Sequence, residues 1–423
     1  MNRYSRFVLL IGTILFASML CGCGYWEEVQ EQESSVPYTG AVAMEETPVV
    51  DYVIPQMSVN ILVDLEGYST EGKKEVAVKG RELPEEFRLV DASTGEAVYR
   101  GALAETAYLE AEELAIGYAD FSDFSEEGKY YLECDIIGQS YRFEIQEQHI
   151  EKLFLKSYER MASACRAGTL PVEDAILVLE AYEWYSEIFP DVNHDNTPDI
   201  LADFRTWVTY MEAEPDIEET ALYAAFLAKF SYNYQNFDRQ YATDCLKRAS
   251  TVFGQIKNDA GKEADSFFAL TELYRATALS TYGNRIIEYK NLLKSDSAYL
   301  AETGYLYGGM TYIVTRQKVD MDMCEIFMID MKAQAEEISN LYQDMLHPVN
   351  VRNSGTEDLL KRAIEVSCAN YVTNNYQYTG IVEEFLHYLM GENLDSVNFY
   401  EQDSEKAEYL LLLAQLKGGS PQQ

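Results

Sequence analysis

The apolar residues of this chain change their spacing at His149. Before it, short runs alternate apolar with polar positions: VNILVDL from Val59, KEVAVKG from Lys74, EFRLVD from Glu86, EAVYRG from Glu96, YYLEC from Tyr130 and YRFEI from Tyr141. A period of two places every second side chain on one buried face, so each run predicts a short strand. Turn chemistry separates them, as at Asp91 to Gly95 and at Ser125 to Gly128. GKYYLEC and QSYRFEI, parted near Gly138, read as a half-buried hairpin that closes the module. Strands of this length and regularity predict a β-sandwich over residues 57–147.

Beyond His149 the apolar period becomes about 3.6 residues, which predicts helices. Twelve segments carry it, the first over Glu151 to Ala167 and the last over Glu405 to Leu416. Their starts are chemically marked. Thr169-Leu-Pro171 opens a helix over Val172 to Phe189 with acids in its first turn, and Asn196-Thr-Pro198 opens the next. Twelve helices make six pairs, the number an (α/α)6 barrel requires, and no fixed repeat suggests a regular solenoid, an irregular helical repeat being the alternative. No flexible linker separates the two modules, so they are expected to pack as one body.

The N-terminus has the layout of a secretory signal: Arg3 and Arg6, then an apolar run from Phe7 to Met19 that is short for a membrane span. Leu20-Cys21-Gly22-Cys23 resembles a bacterial lipobox, which implies removal of residues 1–22 and a lipid on Cys23; a plain secreted chain or an uncleaved anchor is the alternative. Residues 23–55 are acidic, polar and interrupted by Pro37 and Pro48, so they read as a disordered tether. The expected division is then 56–148 for the β module, 149–418 for the helices and 419–423 for a tail.

Charge narrows the partners. With 33 basic against 71 acidic residues the net charge is −38, which excludes nucleic acid and an anionic membrane surface and leaves the lipid as the only membrane contact. Cys134, Cys165, Cys245, Cys324 and Cys368 are scattered and form neither a disulfide framework nor a metal pair, so they read as core residues. The four histidines lack zinc spacing, and neither a phosphate-binding loop nor a G-x-S-x-G elbow occurs, so no cofactor is expected.

Several stretches carry a family resemblance. DFSDF-x-x-x-G-x-Y (Asp120 to Tyr130) and VNILVDLEGY (Val59 to Tyr68, with Asp64 where Asn is usual) are similar to the immunoglobulin-like domain that precedes the barrel in family-nine glycoside hydrolases, the endoglucanases. LVLEAYEWYSEIFPDVNHDNTPDIL (from Leu177) and the stretch from Thr356 to Asn393, ending YLMGEN, resemble helices of the family's barrel. The resemblance implies an immunoglobulin-like β-sandwich followed by an (α/α)6 barrel, here shortened.

The same resemblance implies chemistry only weakly. An inverting glycosidase needs a carboxylate to activate water and a carboxylic acid across the sugar. The family's base loop should lie between Cys165 and Leu177, where Asp174 is the sole remnant; Asp174 also reads as a first-turn acid that suits the helix dipole. The family's N-E-x-A acid motif is matched by Ser404-Glu405-Lys406-Ala407, with Glu405 as the acid or as a capping residue. The expected function is therefore non-catalytic: a surface protein that binds β-glucan-type oligosaccharides or acts as a scaffold, with an active endo-β-1,4-glucanase as the alternative. Tyr182, Trp184 and Tyr185, expected near the barrel mouth, are candidates for a sugar platform, against core packing. Asp191, Asn193, Asp195 and Asp199 alternate like calcium ligands, but Ala202 stands where the closing glutamate should be.

Overall fold

The structure, a computed structural model, describes residues 58–109, 113–213, 221–256, 263–295, 297–342, 355–403 and 406–419. The signal, the lipobox Cys23 and the tether thus lie outside the described residues.

Nine strands form the N-terminal module: β1 (Ile61–Leu62), β2 (Tyr68–Ser69), β3 (Glu75–Gly80), β4 (Glu86–Asp91), β5 (Ala97–Leu109), β6 (Leu114–Asp120), β7 (Gly128–Cys134), β8 (Gly138–Gln139) and β9 (Phe143–Gln146). Their hydrogen-bonded order is β1-β3-β6-β5-β4-β7-β9-β2, with β8 on β7. All pairs are antiparallel except β2 with β9. The first part of β5, up to Ala102, pairs with β4 and the second, from Leu103, pairs with β6, whose register shifts between Glu105 and Ala107, so one strand serves two layers. Alternation works as expected in β7, where Tyr130, Leu132 and Cys134 face the core, and in β9, where Phe143 and Ile145 do. The hairpin of β7 and β9 forms. Strand β6 and the second half of β5 were not predicted, because Ala115 to Ala119 are buried on both faces and show no alternation.

Helices follow as hairpins of two kinds. Those on the outside are α1 (His149–Ala167), α3 (Asp199–Ala213), α5 (Arg239–Gln255), α7 with α8 (Ser280–Glu288, Lys290–Leu293), α10 (Met321–Tyr342) and α12 (Thr379–Leu389) with the short α13 (Phe399–Gln402). Those on the inside are α2 (Val172–Trp184), α4 (Ala221–Tyr234), α6 (Glu263–Thr277), α9 (Thr303–Val314), α11 (Thr356–Thr373) and α14 (Ala407–Gly419). Sequence dictates which is which. In α1 the buried residues Leu153, Phe154, Ser157, Tyr158, Met161, Ala162 and Cys165 follow a three-to-four spacing, the stripe of a surface helix. In α4 and α14 the apolar residues run all round, as a helix enclosed by neighbours demands. The inner helices pack in the cyclic order α2, α4, α6, α9, α11, α14 and back to α2, which closes the (α/α)6 barrel.

Local chemistry sets the joints. Gly168 ends α1 in the left-handed conformation, its N–H reaching the carbonyls of Ala164 and Cys165. Asp238 caps α5 by accepting from the Tyr241 N–H at 3.0 Å. Gly304 lets α9 lie against α6, since a Cβ there would stand 2.4 Å from the Ala264 carbonyl carbon. The five cysteines outside the lipobox are buried and unbridged.

The β module docks on α1, α12 and the segment after α12. Asp64 Oδ2 lies 2.7 Å from His387 Nδ1, Tyr68 Oη donates to Glu392 Oε1 at 2.5 Å, and Leu65 N–H donates to the Met390 carbonyl at 2.9 Å. Glu66 joins Lys156 of α1 at 3.0 Å and Asn398 at 2.7 Å. From residue 58 on, the described residues accordingly form one compact unit.

Candidate functional site

The six inner helices run in the same sense, so their N-termini meet at one end of the barrel. There a cavity of about 290 Å³ opens, lined from every inner helix: Glu173, Ile176 and Leu177 of α2, Leu222 of α4, Phe268 of α6, Thr303, Gly304, Leu306 and Tyr307 of α9, Glu357, Lys361, Ile364 and Glu365 of α11, and Glu408 of α14. Most of this wall is hydrocarbon. Glu173, Glu357 and Glu408 each sit in the first turn of a helix, where the backbone dipole favours a negative charge.

Glu365 differs. It lies more than two turns inside α11 and is 2 % exposed. Oε2 accepts from Arg362 at 3.0 Å, whereas Oε1 has no hydrogen-bond partner among the described residues. Burial raises its pKa, with Arg362 opposing. Beside it, the phenol of Tyr307 is held well above its usual range by burial and by the fields of Cys368, Glu180, Glu408 and Glu365, so it stays protonated.

The sequence-derived candidates fall elsewhere. Asp174, although adjacent to Glu173, faces α1 across a separate cleft lined by Arg160, Ala164, Leu170 and Pro171. It has no partner among the described residues. Burial first, then Glu408 and Glu173, raise its pKa to about 6 against the pull of Lys406. Glu405 lies outside the described residues. Tyr182, Trp184 and Tyr185 occupy the last turn of α2 and its cap, about 16 Å from Glu173 at the usual helical rise, which corrects their expected position at the mouth. Tyr182 meets Phe189 edge-on, Trp184 stacks on Tyr371 at 5.2 Å, and Tyr185 packs on the core. Apolar spacing had shown their helical face but not the end of the barrel they occupy.

In the loop before α3 the carboxylates serve the backbone. Asp191 accepts from the N–H groups of His194 and Asn196, Asp195 from Thr197, and Asp199 from Val192. Asn193 donates to Asp199 at 3.4 Å. His194 and Asn196 adopt positive φ, which those bonds hold. No group of three or more acidic, His or Cys side chains suited to a metal assembles among the described residues.

A second constellation, not predicted, fills the barrel axis near the other end. Glu180 and Glu183 of α2, Lys229 and Asn233 of α4, Glu272 and Arg275 of α6 and Thr311 of α9 converge there. Lys229 Nζ lies 2.8 Å from Glu180, 2.7 Å from Glu183 and 3.4 Å from Glu272. Arg275 grips Glu183 through both terminal nitrogens at 3.0 and 2.8 Å and reaches Glu272 at 2.6 Å. Thr311 and Asn233 complete the bonds to Glu272 and Glu183. The Lys229 contact to Glu180 Oε1 is an ion pair without hydrogen-bond alignment, which leaves Glu180 the least satisfied of the three acids. Burial raises the Glu180 pKa despite Lys229, whereas for Glu183 Arg275 and Lys229 outweigh burial and lower it. Three acids and two bases, all but Glu183 nearly shut off from solvent, hold four helices together. The sequence signal was present as the charged pairs Glu180/Glu183 and Glu272/Arg275, three residues apart on otherwise apolar helices.

Comparison with known proteins agrees with this geometry. Residues 56–139 match the cellulase N-terminal Ig-like domain. No match was found among curated proteins. Among solved structures, a metagenome-derived glycoside hydrolase family 9 endoglucanase superposes with a TM-score of 0.67 at 15 % identity, over 80 % of this chain and 84 % of that one. A Bacteroides ovatus family 9 glycoside hydrolase gives 0.64 at 13 %, over 85 % and 98 %. AaCel9A in complex with cellobiose-like isofagomine gives 0.59 at 16 %, over 79 % and 82 %. The chain therefore has the architecture of the family-nine glycoside hydrolases, an immunoglobulin-like domain followed by an (α/α)6 barrel.

Proposed function

We propose that this protein is a non-catalytic glycan binder, tethered to the outer face of a bacterial membrane by a lipid on Cys23, that captures short β-glucan-type oligosaccharides at the barrel mouth. The observation that carries the reading is the shape of that mouth. It narrows to a cavity of about 290 Å³ with largely hydrocarbon walls, and Asp174 faces a different cleft. A chain-cleaving enzyme of this type needs two carboxyl groups facing each other across a groove at about 6.5–9.5 Å. The relation to AaCel9A, whose structure holds a cellobiose-like compound, supports a carbohydrate ligand. On the described residues, no helix is long and apolar enough to cross a membrane, so attachment would rest on the segment before them.

One observation favours the alternative of an active endo-β-1,4-glucanase: Asp174 has no partner among the described residues, and its carboxyl is raised to about 6, within reach of acid–base work. The deciding assay measures reducing ends released from a soluble β-1,4-glucan, alongside binding of cellotetraose, for the wild type and Glu405→Gln. Binding with equal, background-level release from both proteins is the expected result. Release by the wild type alone would establish catalysis with Glu405 as the acid, and absence of both binding and release would leave only a scaffold.

A further inference from the structure

We propose that the joint between the β module and the barrel is a proton-operated latch, closed while His387 is charged and loosened as the pH rises, through which the β module lifts off α12 and α1 while both modules stay folded.

Each module buries hydrocarbon of its own. The β module has a core built on Ile61, Tyr68, Phe87, Leu132 and Phe143, and the helices have a separate, larger one. The apolar cluster drawn from both sides is small: Leu62, Ala77, Ile116 and Tyr118, packed by Leu394. Polar contacts join the rest. Besides those of Asp64, Leu65, Glu66 and Tyr68 described above, Lys73 reaches Glu384 at 2.8 Å, Lys79 donates to the Leu394 carbonyl at 2.6 Å, and Lys152 pairs with Glu144 at 3.2 Å. An interface of this composition permits two folded bodies to part, whereas a broad apolar one would not.

The charge at this joint depends on protons. His387 of α12 stands at its centre, and the elements packed around it bring titratable or charged groups. Asp64 follows β1 and lies 2.7 Å from the imidazole, and the Tyr68 ring of β2 is 5.2 Å away. Lys74 precedes β3, Glu383 and Glu384 share α12, Glu392 follows it, and α1 contributes His149 and Lys152. From α14 come the apolar Leu413 and Leu416. Asp64, His149, Glu383 and His387 line a space of about 20 Å³ between the modules, room for one water.

Docking is thereby tied to the imidazolium. Once His387 is neutral, Asp64 is an anion 1 % exposed beside Glu383 and Glu392, and Lys74 is already shared among the carbonyls of Ser69, Thr70 and Gly72. Docked, His387 titrates near 9 against its usual 6.5, and Glu392 near 7 against its usual 4.5. Both favour docking at low pH, and that support is lost as the pH rises through those values. His149, lowered to about 4 by burial, acts in the opposite sense and below pH 6.5. Release uncovers the turn at Asp64 and the side of α12 that cover each other when docked, so the surface the protein presents changes with pH.

Hydrogen exchange on the full chain between pH 6.5 and 9, corrected for the intrinsic rate at each pH, tests this. The Leu65 N–H is the reporter, because its acceptor, the Met390 carbonyl, lies across the joint. Amides inside β7 and α4 report on the two cores. Protection of Leu65 should fall about a hundredfold over this range, the scale set by His387 and Glu392 together. It should also stay at least about tenfold below that of the core amides at every pH, since the joint opens without the cores. Asp64→Asn combined with Glu392→Gln keeps hydrogen-bonding groups at both positions and removes their charge, so Leu65 protection in that variant should be nearly independent of pH; its melting curve verifies folding. Leu65 protection equal to that of the core amides would mean that the joint opens only when the whole chain unfolds, and would overturn the latch. Protection of Leu65 that is constant with pH in the wild type, or that falls equally in the double variant, would overturn it as well.

Discussion

Lys229→Met should destabilise the protein by about 3–5 kcal/mol, the usual effect of removing one partner from a buried ion pair. Lys229 is fully buried on α4 and stands within ion-pair distance of Glu180, Glu183 and Glu272. Methionine keeps the apolar stem and removes only the charge. Arg275 alone would then face three buried carboxylates, and Glu180, which Arg275 reaches through its field but not by an ion pair, would be forced to stay protonated. Glu180→Gln makes the contrast. It removes the acid that burial already disfavours and should change stability by less than about 1.5 kcal/mol, the range of one ordinary hydrogen bond. Urea unfolding of both variants reads the difference. Similar, small effects from the two would mean that the charges do not hold the barrel together.

The second large effect concerns the contact between the modules. Asp64 is buried, caps its own turn through the N–H groups of Glu66 and Gly67, and pairs with His387. Burial disfavours the charged imidazole, but the bond to Asp64 and the fields of Glu392, Asp64 and Glu383 prevail and raise its pKa to about 9. A histidine titrating near 6.5 when unfolded then contributes about 3 kcal/mol, fully present below pH 6.5 and lost as the pH rises through 9. Glu392 acts in the same direction. Burial, aided by Asp64 and Glu384 and opposed by His387 and Tyr68, raises it to about 7, so its ionisation also weakens the fold as pH rises. His149 sets the acid limit: burial lowers it to about 4, so stability declines as the pH falls from 6.5 toward 4. Below about pH 6.5 the gain from His149 and the loss from Glu392 oppose each other, and above it stability should fall as His387 titrates. Asp64→Ala should cost about 3 kcal/mol at pH 6 and flatten the alkaline side of the profile. An unchanged slope between pH 6.5 and 9 in that variant would show that the Asp64 and His387 pair does not govern it.

How much of this was legible beforehand depended on whether a pattern has a period. Half-buried strands such as β7 and amphipathic helices such as α1 announce themselves through alternation or a three-to-four spacing. Strand β6, covered on both faces, has no such signature, and neither a sequence period nor a turn separates it from its surroundings. The site was harder to see. Asp174 and Glu173 are neighbours in sequence, yet about 100° of helical rotation sends one toward α1 and the other to the cavity. Glu365 looks like any helical acid until the other five inner helices close around it. Asp64, noticed only as a departure from the family's asparagine, makes sense once His387, more than 300 residues away, is placed beside it.

The way the β module docks also bears on how the ring is kept shut. A barrel of six hairpins has one seam, where the last hairpin meets the first without a peptide connection, here between α14 and α2. Glu66 straddles it, holding Lys156 of the first hairpin and Asn398 of the last. The β module is thus a clasp on a bracelet. Since it is made first and its far anchor is made last, the clasp cannot fasten until nearly the whole chain has emerged, and a chain cut short before Asn398 would leave the ring open with its apolar lining bare.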